Sequence, residues 1–200
     1  MKRLIAFAAA FFTSVCLAAC SVPVKEKAES PNGLNSSFSS SVSVALDEMN
    51  AEGTVKRFGN GMWEVEFSSP NTLSGVMLSF SEGNVTASYK GLNFSVPQSA
   101  LPVKAMMLNL ITAADDLAEN EELSGREKDG MIEISGSLDG GEYTLTVDKK
   151  GNIASFSMPG SKLKMNFSDV QPITGETPAE STTAAVTEAA SAETSQTSAE

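Results

Sequence analysis

Met62-Trp63-Glu64-Val65-Glu66-Phe67-Ser68 alternates large apolar side chains with polar ones. Successive side chains of an extended strand point to opposite faces, so this run puts Trp63, Val65 and Phe67 on one face and Glu64 and Glu66 on the other. The period recurs along the chain that follows. Val76, Leu78 and Phe80 repeat it, as do Val85, Ala87 and Tyr89, then Leu92, Phe94 and Val96. Later come Ile132, Ile134 and Leu138, then Tyr143, Leu145 and Val147, then Leu163, Met165 and Phe167. Gly59-Asn60-Gly61, Glu82-Gly83, Lys90-Gly91, Asp139-Gly140-Gly141, Lys150-Gly151-Asn152 and Pro159-Gly160 separate the runs. Their Gly and Asn residues tolerate the positive φ of tight hairpin turns. The pattern predicts about nine or ten antiparallel strands with one greasy face.

One segment breaks the rhythm. Between Val103 and Leu117, Met106, Met107, Leu110, Ile111, Ala114 and Leu117 recur at intervals of three and four and share one helical stripe. Pro102 suits a first turn. Asp115, Asp116, Glu119, Glu121 and Glu122 crowd the far end, where the helix dipole disfavours acids. The helix is therefore expected to stop near Leu117, with the acids lining a solvated loop. A calcium reading of that cluster lacks the D-x-[DN]-x-[DN]-G spacing.

The N-terminus carries a different kind of information. Lys2 and Arg3 precede an uncharged run from Leu4 to Leu17, which ends in Leu17-Ala18-Ala19-Cys20. The run is nearer the length of a signal-peptide core than the roughly 20 residues of a membrane span. Its order resembles the lipobox of bacterial lipoproteins. The resemblance implies cleavage of residues 1–19, a covalent diacylglycerol on Cys20, and an extracytoplasmic protein anchored to the outer leaflet of the cell membrane. Cys16 is the only other cysteine, so the mature chain would have no internal disulfide.

Composition divides the remainder. Residues 20–37 read as a lipidated cysteine and flexible tether, 38–170 as the β domain, and 171–200 as a disordered tail of Thr, Ser, Ala and Glu. The formal charge of −11 becomes −13 once Lys2 and Arg3 are removed. Such a chain lacks the cationic footprint that nucleic acid requires. It also lacks polybasic attraction to anionic lipid, leaving membrane attachment to the acyl chains.

A one-faced sheet must bury its apolar side against itself or a helix. The strand meander, the helical insertion near Ala105 to Leu117, and the closing runs Gly141 to Asp148 and Leu163 to Phe167 resemble the LolA and LppX-type lipoprotein families. That resemblance implies a mainly β, α+β fold: a strongly curved antiparallel half-barrel wrapped around a central helix, with a concave apolar face able to hold acyl chains. The candidate lining is Trp63, Phe67, Phe80, Phe94, Met106, Met107, Leu110, Met165 and Phe167. Methionine adapts to ligands of variable shape, although the same residues would serve as an ordinary core.

Catalytic chemistry has little to work with. There is no histidine, and the one cysteine of the mature chain is the predicted acylation site. Ser161-Lys162-Leu163-Lys164 matches an S-x-x-K spacing, but the companion Ser-Asp-Asn and Lys-Thr-Gly motifs are missing. Glu64 and Glu66 have the spacing of any two outward-facing strand residues. The expectation is a non-enzymatic lipoprotein without cofactor or metal, whose partners are the membrane and a lipid or other hydrophobic molecule. The alternative is a structural or interaction lipoprotein that presents its acidic domain and tail to a cell-envelope protein.

Overall fold

A computed structural model describes residues 27–81, 83–96 and 102–174. Twelve strands form one sheet: β1 (Lys27–Pro31), β2 (Phe38–Leu46), β3 (Met49–Gly59), β4 (Met62–Ser69), β5 (Val76–Ser81), β6 (Asn84–Tyr89), β7 (Leu92–Val96), β8 (Glu122–Lys128), β9 (Met131–Leu138), β10 (Gly141–Val147), β11 (Ile153–Met158) and β12 (Leu163–Pro172). The helix α1 (Pro102–Ala118) connects β7 to β8. The spatial order is β1-β8-β9-β10-β11-β12-β2-β3-β4-β5-β6-β7. Two antiparallel meanders, β2 to β7 and β8 to β12, are thus fused where β12 pairs with β2. β1 adds to the outside of β8.

The alternation around Trp63 sets the register. Trp63 pairs with Phe80 and Val65 with Leu78, and Phe80 in turn pairs with Val85, so apolar rows run across strands on one face. That face holds the core: Trp63, Val65, Phe80, Val85, Leu145, Phe156 and Met165 are all buried. The predicted turn residues work as expected, with positive φ at Gly61, Gly83, Lys90, Gly91, Gly141 and Gly151.

The half-barrel wrapped around a central helix is not what forms. The sheet neither closes nor curls strongly about α1; β1 and β7 lie at opposite ends of an open strand order. Phe94, expected on the wrapped face, is 56% exposed, and its neighbour Leu92 is 60% exposed. Dimensions give the reason. Twelve strands about 4.8 Å apart make a sheet ~53 Å wide, whereas the 17 residues of α1 are ~25 Å long at 1.5 Å per residue. One helix covers part of such a sheet: Leu78, Phe80 and Val85 are still buried, while Tyr89, Leu92 and Phe94 at the β6–β7 end are exposed.

Both domain limits read from composition shift. Residues 27–37, expected as tether, contain β1, a 3-10 turn at Gly33–Asn35, and the fully buried Leu34. Their docking is close: a side chain at Gly151, where φ is +81°, would sit 1.9 Å from the Pro31 carbonyl oxygen. At the other end β12 runs through Pro172, and the Ile173 N–H donates to the Ser37 carbonyl at 3.1 Å. The signal segment, Cys20 and residues 175–200 lie outside the described residues.

Candidate functional site: the apolar sheet face and its helix

The helix stripe predicted from sequence is the buried one. Met106, Met107, Leu110, Ile111 and Ala114 are buried against the sheet, together with Ala113. Beyond them the seal is polar. Asp115, expected in a solvated loop, is instead 7% exposed and sits at the centre of a hydrogen-bonded knot. Arg57 of β3 donates through Nε to Asp115 Oδ1 at 2.9 Å, and its Nη2 lies 2.8 Å from the same oxygen. The Gly61 N–H donates to Oδ2 at 2.7 Å, and Trp63 Nε1 lies 3.2 and 3.3 Å from the two oxygens. The Arg57 guanidinium also stacks over the Trp63 ring at 5.7 Å, and Phe38 meets that ring edge-on. Asp115 therefore has a counter-charge and two neutral donors around it, and Arg57 has the same counter-charge and the face of the Trp63 ring, the condition under which burial is tolerated.

A second tie holds the helix C-terminus. The last carbonyls of a helix lack intrahelical partners, and the Asn32 side-chain amide donates to one of them, Leu117 O, at 2.8 Å and to Asn120 O, just beyond the helix, at 2.7 Å. The Asn32 Oδ1 meanwhile accepts from the Leu34 N–H. The segment before β2 thus caps the helix. Of the other acids at this end, Asp116, Glu119, Glu121 and Glu122 are exposed, as expected for a solvated loop.

The nine sequence candidates separate into two groups. Trp63, Phe67, Phe80, Met106, Met107, Leu110, Met165 and Phe167 are buried in one continuous core. Where Met106 and Met107 face Val44, Met49, Ala51, Phe67, Leu73 and Met165, the space left is about 10 Å³. That is room for at most one water molecule, and its walls are apolar. Phe94 belongs to the second group. It walls an open groove of about 360 Å³ with Thr72, Val76, Ala87, Ser88 and Tyr89, near the lower end of the volumes that hold small ligands.

Among the described residues the other titratable groups do not assemble into a reactive cluster. No group of three or more metal-ligating side chains occurs among the described residues. Ser161 ends a 3-10 turn, and Lys162, in the left-handed region, pairs with Asp47 at 2.6 Å on the surface. Glu64 and Glu66 do not form an exposed pair: Glu66 is exposed, but Glu64 is 8% exposed, with no hydrogen-bond partner for Oε1. Tyr143 packs on the apolar face, and burial, reinforced by the charge of Asp116, holds its phenol above the ordinary range. Among the described residues no helix is long and apolar enough to cross a membrane.

No protein-family model matches the chain, and no curated protein matches it. Solved structures do. An uncharacterized conserved protein from Thermus thermophilus is similar at 13% identity with a TM-score of 0.46, over 72% of this chain and 82% of that one. A LolA superfamily protein from Nitrosomonas europaea is similar at 10% identity with a TM-score of 0.35, over 71% of this chain and 88% of that one. At such TM-scores neither likeness carries a function over to this chain.

Proposed function

We propose that the chain is a non-catalytic extracytoplasmic lipoprotein, held to the membrane by diacylglycerol on Cys20, that binds a lipid or other hydrophobic ligand on the bare end of its apolar sheet face. The observation that carries this reading is the division of that face. Beneath α1 it is plugged to within about 10 Å³, and beside Val76, Ala87, Tyr89 and Phe94 it stays open as a groove of about 360 Å³. Val76, Ala87, Tyr89 and Phe94 give that groove an apolar floor, and Tyr89 and Phe94 are 40% and 56% exposed. Water over such a surface is displaced favourably by an acyl chain, at about 25 cal/mol per Å² of apolar area covered. The buried candidates lie outside the groove's lining and do not meet the ligand.

A fluorescent fatty acid titrated into the full chain in detergent below its critical concentration tests this. Saturable binding, displaced by unlabelled fatty acid, is expected, and Phe94→Asp should weaken it by about tenfold or more while leaving the melting temperature within a few degrees, since exposed positions rarely move stability by more than about 0.5 kcal/mol. Equal binding by Phe94→Asp, or none by the parent chain, would rule the groove out.

A further inference from the structure

The two edges of this sheet are built differently. An edge strand offers unpaired N–H and C=O groups, and proteins commonly blunt it with charge or proline. β1 follows that practice, reading Lys27-Ala28-Glu29-Ser30-Pro31. β7 reads Leu92-Asn93-Phe94-Ser95-Val96, with no charge and no proline, and among the described residues only β6 pairs with it.

From these features we infer that β7 is the pairing edge for a second copy of this chain, joined antiparallel about a two-fold axis at Phe94. Backbone parity supports that register. Tyr89 and Leu92 flank the two-residue turn at Lys90-Gly91, where both φ angles are positive. Residues flanking such a turn exchange backbone bonds with each other, so Leu92, Phe94 and Val96 direct theirs toward β6, and Asn93 and Ser95 direct theirs outward. Pairing centred on Phe94 sets Asn93 opposite the second copy's Ser95, both with outward groups, and Phe94 opposite its own counterpart as a close, non-hydrogen-bonded pair. The pattern is self-complementary, as a two-fold interface requires.

Charge selects the same place. The chain carries 25 acids against 14 bases, so two copies repel over most of their surface. Residues 76–96 contain one acid, Glu82, and one base, Lys90, and are formally neutral. This segment is where a like-charged copy meets little local repulsion.

Edge pairing extends the sheet in its own plane and leaves the apolar face uncovered. The two grooves beside Phe94 then meet in one trough, doubling the length available to an extended hydrophobic ligand. In that respect the inference builds on the proposed function, but its test does not.

Sedimentation equilibrium of the ligand-free full chain in neutral detergent, from 5 to 100 μM, reads the mass directly. A concentration-dependent dimer is expected, and both Phe94→Lys and Ser95→Pro should be monomeric with near-parental melting. Ser95→Pro removes one outward N–H and leaves the apolar face intact, so it separates strand pairing from simple stickiness and should keep fatty-acid binding per chain. A monomeric parent at 100 μM, or a dimer that survives either substitution, would overturn the inference.

Discussion

Asp115→Ala is expected to cost the fold about 3–5 kcal/mol, as removal of one partner from a buried ion pair generally does. The Arg57 side chain is only 3% exposed and would be left charged without a counter-ion, while Trp63 Nε1 and the Gly61 N–H would lose their acceptor. For a domain of this size that corresponds to a melting temperature lower by roughly 10 °C. Urea unfolding measures it. Replacing both charges, as Arg57→Met with Asp115→Leu, should recover much of the loss, because the cost lies in the stranded charge more than in the missing attraction. A loss below about 1 kcal/mol for Asp115→Ala would mean that α1 is not fastened by this knot.

Trp63→Ala is expected to cost a similar amount, about 3–5 kcal/mol, for a different reason. The ring is 1% exposed and fills the space between Phe38, Arg57 and the helix, so truncation leaves a cavity as well as lost burial. Because Trp63 also donates to Asp115, the double variant should lose less than the two single losses together. Urea unfolding of the three variants gives the coupling directly. The milder Trp63→Phe should keep the fold and leave fatty-acid affinity unchanged, since Trp63 lies under the helix and not in the groove. A large affinity loss in Trp63→Phe would move the ligand beneath α1.

The strands were legible because the run at Trp63 alternates strictly and the turns carry Gly where positive φ occurs, as at Gly61, Gly83, Gly91, Gly141 and Gly151. The helix was legible because Met106, Met107, Leu110 and Ile111 keep one stripe. Curvature was not, since periodicity says which side of each strand is apolar and nothing about how far one helix can cover the next strands. Asp115 could have been found. It follows Met107 and Ile111 at the four-residue interval, which places an acid on the buried stripe. Arg57 likewise follows Val55 at the two-residue interval, placing a base on the apolar face. Two opposite charges, each out of place in its own pattern, point to each other. β1 was hidden for the opposite reason: Lys27 to Pro31 has almost nothing apolar to alternate, and its place in the sheet comes from pairing with β8 and from the Gly151 approach, both distant in sequence.

The proposed function requires that the exposed end of the apolar face, at Tyr89 and Phe94, holds a hydrophobic molecule. Native mass spectrometry of the full chain, extracted from membranes in mild detergent, tests this most directly. A non-covalent adduct of lipid or fatty-acid mass is predicted on the folded chain, lost on denaturation and greatly reduced in Phe94→Asp, whereas the covalent diacylglycerol on Cys20 stays with the unfolded polypeptide. A folded chain that carries its covalent acyl groups and nothing else, before and after incubation with fatty acid, would contradict it.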